Sequence, residues 1–154
     1  MMNIRNEADT HRRAVAFSPN GATDWTIPQF DPQLQEPICF GSLLAVPREV
    51  AGAGGVLLFS NPDNVERTVD LGPPQYRDRK NMTVKLSLND GTDWIKSLVI
   101  EPGFSGYSDL CVGPDGTVYC LYERGAITSY YDPAAVTLAR LNLRTWLLRH
   151  EQQE

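Results

Sequence analysis

No stretch of this 154-residue chain approaches 18 consecutive apolar residues, so no membrane-spanning helix is encoded. The opening segment, residues 1–13, carries charge without an apolar run behind it, so it does not read as a secretory signal. Basic residues are the minority. Lys and Arg number 14 against 19 Asp and Glu, giving a net charge of −5. With no basic stripe interleaved with aromatics, a nucleic-acid partner is excluded. Cysteine is scarce: Cys39, Cys111 and Cys120 form an odd set without CxxC spacing, which argues against a zinc site and a disulfide framework. All three are expected to be buried free thiols. If Val112 faces Thr117 across the turn at 113–116, Cys111 and Cys120 become diagonal neighbours on one face. Helical periodicity is the last shortage, and only Leu143 to His150 reads as a helix.

Turn residues, by contrast, are plentiful, with 12 Gly and 11 Pro. At 42% hydrophobic and 21% charged, the composition is that of an ordinary globular chain. A chain of this length buries roughly 68–70% of its unfolded surface, enough for one core. Period-2 alternation marks strands at 13–18, 43–46, 56–60, 82–87, 96–100, 108–112, 118–122 and 136–141. Turn signals separate them, among them Pro19-Asn20-Gly21, Asn89-Asp90-Gly91 and Pro114-Asp115-Gly116. Many short strands joined by hairpins mean an all-β sandwich, barrel or propeller. Residues 61–80 form the one long irregular stretch, and loops of that length are functional or disordered.

Two segments repeat. Ser18, Asn20, Asp24 and Trp25 recur at the same spacing as Ser87, Asn89, Asp93 and Trp94, each after an alternating strand. Such a corner needs Asn or Gly for positive φ, side-chain oxygens to bond the backbone, and Trp to pack against the sheet. Repetition at this scale marks a repeat architecture.

These segments resemble the Asp box, S-x-D-x-G-x-T-W, of the BNR-repeat exo-α-sialidases (neuraminidases), with Asn20 and Asn89 where the box has Asp. Downstream, residues 102–110, with Tyr107-Ser108-Asp109-Leu110 at their end, look like the C-terminal signature of that family, as do Asp115-Gly116 and Leu121 to Gly125. Residues 34–43 and 79–84 are similar to further family segments, so the resemblance covers nearly the whole chain. It implies an all-β fold, about half of a six-bladed propeller of four-stranded antiparallel blades, with residues 1–154 as its C-terminal part and the N-terminal blades absent. Blades of about 40–45 residues require roughly 250 or more for a full ring. A half ring exposes unpaired strand edges, which invite self-association.

The resemblance implies a glycoside hydrolase that removes terminal sialic acid from glycoconjugates, with no metal or cofactor. Arg5 and Arg79 correspond to the second and third arginines that hold the substrate carboxylate; Arg67 and Arg77 share the loop of Arg79. Arginine suits the task, because its planar fork gives bidentate, charge-assisted bonds and stays protonated. Tyr107 corresponds to the nucleophile, a known departure from the two-carboxylate scheme. A neutral phenol avoids the repulsion that a carboxylate nucleophile would meet from the substrate's own carboxylate. Glu123 corresponds to a glutamate that orients the first arginine. The first arginine, the aspartate acid/base and the glutamate partner of the tyrosine have no counterpart, so the chain alone is expected to be weak or inactive. Loss of acid–base help alone costs about 10²–10⁴-fold. The alternative is a non-catalytic Asp-box module that binds an anionic glycan or a protein. Glu36 takes no catalytic role, and His11 and His150 are expected on the surface. No compartment is assigned.

Overall fold

The computed structural model describes residues 1–52 and 54–151. Strands β1 (Met2–Ile4), β2 (Arg12–Ala16) and β3 (Gln29–Gln35) form a three-stranded antiparallel sheet. A second sheet runs in strict chain order through β4 (Ser42–Ala45), β5 (Leu57–Pro62), β6 (Lys80–Ser87), β7 (Lys96–Val112), β8 (Thr117–Arg124) and β9 (Ala135–Asn142). Helix α1 (Arg48–Ala51) sits between β4 and β5, and α2 (Leu143–Glu151) follows β9. The expected helix over 143–150 is therefore present, but it is not alone. Pro47 presets the start of α1 and Gly52, at φ 77°, ends it by returning its N–H to the Arg48 carbonyl.

Strand β7 is the pivot of the second sheet. Its first half pairs with β6 and its second half with β8. Four strands, β4 to β7, thus make one antiparallel unit, and β7 to β9 begin the next. The alternation over 96–100 and 108–112 reads as two strands, but Pro102, Gly103 and Gly106 lie inside one continuous 17-residue strand. Register shifts against β6 and β8 absorb these residues as bulges, which bend a strand without ending it.

Burial follows the side-chain period. Leu58 of β5 and Met82, Val84 and Leu86 of β6 face Leu110, Val118, Cys120 and Tyr122 of β7 and β8 in the main core. Leu57 and Phe59 point the other way, packing with Val15, Leu34 and Trp94 against the first sheet. The β4–β6 unit is therefore covered on both faces, whereas β8 and β9 leave Leu121, Val136 and Leu138 exposed. Both repeat corners form as their residues require. Ser18 Oγ accepts the N–H groups of Asn20 and Gly21, and Ser87 Oγ those of Asn89 and Gly91. Trp94 is buried, its indole donating to Asp31, but Trp25 is only half-buried.

Several expectations are corrected. Val112 pairs with Val118, not Thr117, because Gly113 N–H closes a wider loop on the Thr117 carbonyl. Cys111 and Cys120 then fall on opposite faces. Cys39 and Cys120 are buried free thiols, but Cys111 is exposed. His11 is buried at φ 48°, its ring bonded to the Glu36 carbonyl, rather than on the surface. His150 lies outside the described side chains.

This layering predicts a contrast between neighbouring positions. Leu58→Ala, in the doubly covered unit, should cost about 2–5 kcal/mol. Leu121→Ala, on the open face, should cost roughly 0.5 kcal/mol or less. Urea unfolding midpoints of the two variants check it.

Candidate active site

The loops at one end of these strands converge. Arg5 follows β1, Ile38 to Phe40 lie between β3 and β4, and Tyr76 to Arg79 lead into β6. Tyr107 comes from β7, Glu123 from the end of β8, and Tyr130 and Tyr131 from the turn before β9. The guanidinium of Arg79 is the centre, with only 1% of the residue exposed. One NH₂ donates to the Ile38 carbonyl at 2.7 Å, while its buried Nε has no partner among the described residues. The charge lies 5.1 Å from the Tyr76 ring centroid, 5.4 Å from Tyr131, and 5.7 Å from both Tyr107 and Tyr130. Each ring presents a negative π-face, which partly replaces lost hydration.

The structure brings Arg5, Arg79 and Tyr107 together. Arg5 reaches the Tyr107 and Tyr76 hydroxyls, each across a long 3.4 Å. Partial burial works against the Arg5 charge but is outweighed by the Tyr107 hydrogen bond and the neighbouring tyrosines, so its pKa rises. The other two arginines of the 61–80 loop do different work. Arg67 donates to the carbonyls of Gly72, Pro73 and Tyr76 and pairs with Asp70, which orders the loop. Arg77 bonds the carbonyls of Gln75 and Tyr76.

Tyr107 is aimed by a bulge. Between Ser105 and Ser108, β7 advances three residues while β8 advances two, from Arg124 to Tyr122. The extra residue frees the Tyr107 N–H from the ladder, and Glu123 Oε2 accepts it at 2.9 Å. A Cβ at position 106 would overlap that carboxylate oxygen, which is why glycine stands there. Tyr107 is left 40% exposed, its ring 5.6 Å from that of Phe40. Glu123 thus holds the tyrosine backbone; among the described residues no ion pair joins it to an arginine. A depression of about 520 Å³ opens beside the pair, lined by Phe40, Tyr107, Leu121, Glu123 and Val136.

Beneath this surface lies a polar layer that motif reading does not reach. Tyr130 donates to Asp78 at 3.0 Å, and burial together with that carboxylate pushes its pKa up. Burial alone would raise Asp78, but Thr68, through hydroxyl and N–H, and then Tyr130 and Val69 overcome this and hold its pKa down. Arg13 and Glu36 form an ion pair with side chains 3% and 1% exposed. Burial lowers the Arg13 pKa and raises that of Glu36, each against the pull of its partner. Burial also pushes the Cys39 thiol up to about 12, so it is no nucleophile at neutral pH. Tyr76, Tyr130 and Tyr131 carry no local signature; the Tyr130–Tyr131 doublet beside a turn is the one trace they leave.

The chain is thus an all-β array of antiparallel, propeller-like units that gathers a buried arginine, a half-buried arginine and an exposed tyrosine at one end of its strands. Comparison with known proteins makes the relationship specific. A sialidase of Micromonospora viridifaciens is 33% identical over 133 residues, 84% of this chain and 19% of the relative. A Bacteroides fragilis sialidase is 30% identical over 80% of the chain, and human sialidase-4 is 46% identical over 38%. The chain spans about a fifth of the two bacterial relatives (19% and 21%). Among solved structures, a Hadza microbial sialidase superposes with a TM-score of 0.68 at 32% identity, covering 93% of this chain and 25% of that one. The leech intramolecular trans-sialidase complexed with 2,7-anhydro-Neu5Ac matches in fold, with a TM-score of 0.69 at 17% identity, over 91% of this chain and 21% of that one. No family model matches. Over most of its length the chain is related to the sialidases and matches a stretch of their β-propeller fold.

The depressed pKa of Asp78 sets a pH dependence. A lowered folded-state value contributes stability above the unfolded value, near 3.8, that is lost as pH falls through the folded one. Asp78→Asn should therefore be less stable at neutral pH and show a shallower loss of stability below pH about 4. Urea titrations of both proteins from neutral to acid pH measure that difference; parallel curves would refute it.

Proposed function

We propose that this chain carries the carboxylate-binding and nucleophile portion of an exo-α-sialidase site, acting on terminal α-linked sialic acid of glycoconjugates. The observation that carries the reading is the convergence of Arg5, Arg79 and Tyr107. Two guanidiniums beside one exposed phenol suit a sugar that bears its own carboxylate at the reacting carbon. Arg5 and Arg79 hold that carboxylate, and Tyr107 Oη bonds to the anomeric carbon as the glycosidic C–O bond breaks. The departing oxygen needs a proton and the phenol needs a base, since its ordinary pKa is near 10. In the family pattern an aspartate and a glutamate outside these 154 residues supply both. Glu123 fixes the backbone of the nucleophile and, in that pattern, orients the first arginine. Water then opens the tyrosyl bond, and the sugar leaves with its configuration retained.

One observation favours a second reading, a module that binds an anionic glycan or a protein without cutting it. Among the described residues the hydrogen-bond partner of the Tyr107 hydroxyl is Arg5, and no carboxylate reaches it. Either reading leaves open sheet edges at β4 and β9, with Val136 and Leu138 exposed beside the latter. Self-association through these edges belongs to the proposal; a monomer by sedimentation velocity across the micromolar range would remove it.

Calorimetric titration with N-acetylneuraminate should show binding that Arg79→Lys weakens about tenfold or more, because a lysine cannot form the fork. Equal affinity in that variant would sink the carboxylate assignment. A fluorogenic sialoside should release little product with the chain alone. Binding without hydrolysis favours the module for the isolated chain, whereas robust turnover abolished by Tyr107→Phe would show that these residues suffice.

A further inference from the structure

We infer that the buried Arg13–Glu36 pair is a positioning device for Arg79, acting through the carbonyl of Ile38. The inference rests on the reading of Arg79 as a carboxylate-binding residue. Buried ion pairs are weak sources of stability, because desolvation offsets their attraction, so what this pair holds is informative. It holds the backbone of Cys39 from both sides. Glu36 Oε1 accepts the Cys39 N–H at 2.8 Å, and an Arg13 NH₂ group donates to the Cys39 carbonyl at 2.9 Å. The same Arg13 NH₂ group donates to Glu36 Oε2, and Arg13 Nε donates to Asn3, which ties the clamp to β1.

The residue enclosed by this clamp is strained. Ile38 is fully buried at φ 66°, a left-handed conformation that a β-branched side chain disfavours. Such a residue persists only where its surroundings over-determine it. The conformation has a visible product: the Ile38 carbonyl meets the Arg79 guanidinium at 2.7 Å. Four ring faces also surround that charge, and they attract it without fixing its rotation. Freed from the clamp, Ile38 relaxes toward negative φ, its carbonyl swings away, and Arg79 loses the bond that sets its orientation.

The test uses the full chain and two readouts. Arginine side-chain NMR reports the Arg79 Nε–H signal in the free protein, and calorimetry with N-acetylneuraminate reports the ligand. Glu36→Gln should move or broaden the Arg79 signal and weaken binding about tenfold, while circular dichroism shows the strands intact. Asn3→Ala, which removes one bond to Arg13, should shift the same signal less, and it carries the test if Glu36→Gln does not fold. A folded variant with the Arg79 signal and the affinity both unchanged overturns the inference. If the unmodified chain does not bind N-acetylneuraminate, the ligand reading fails, but the Arg79 signal still decides whether the clamp positions it.

Discussion

A guanidinium taken out of water must recover its hydration from the protein, and the burial of Arg79 imposes that requirement on four segments at its end of the sheet. Charge in a low-dielectric interior is tolerated only when it is paired or hydrogen-bonded. Here one carbonyl and four aromatic faces share the task, drawn from the β3–β4 connection, the 63–79 loop, β7 and the β8–β9 turn. Among the described residues no carboxylate pairs with Arg79, so its charge rests on that carbonyl and those rings. The second layer answers to the same constraint. Asp78 fixes Tyr130, Arg67 ties the loop that carries Tyr76, and Arg13 with Glu36 sets Ile38.

Most strands were legible because alternation and burial share a period. The failures have local causes. Strand β3 offers Gln29-Phe30-Asp31-Pro32-Gln33, where polar Asp31 faces inward to receive the Trp94 indole, so the apolar rhythm is lost. Strand β1 is too short for any period to show. Within β7, Pro102 and two glycines spell a turn, yet bulges let the pairing continue past them. His11 looked like a surface residue among charges, but a left-handed turn folds its ring onto the Glu36 carbonyl. The register of the β7–β8 hairpin slipped by one because the loop closes at Gly113 and Thr117, not inside them.

The site divides differently. Arg5, Arg79, Tyr107 and Glu123 stand out through sequence resemblance, since each sits in a recognisable segment. The residues that hold them have no such segment. Tyr130 meets Asp78 across 52 positions, and Arg13 meets Glu36 across 23. Cation–π and buried ionic contacts depend on where loops land after the sheets have formed, which no local spacing records. Glu36, beside Pro37, reads as a turn residue without a catalytic role, and nothing nearby in the sequence shows that Arg13 will cover it.

The strand order of the second sheet has a kinetic consequence. Every strand from β5 to β9 pairs with its predecessor in the chain, so no pairing in this sheet waits for a distant segment. Contacts of short loop length close early and at low entropic cost. The sheet can therefore be zipped in the direction of synthesis, each strand docking as it leaves the ribosome. Strand β7 serves as template twice, first completing the unit behind it and then seeding the one ahead. The backbone N–H of the tyrosine at its bend meets its acceptor only when β8 delivers Glu123, so this part of the site depends on the β7–β8 hairpin having closed.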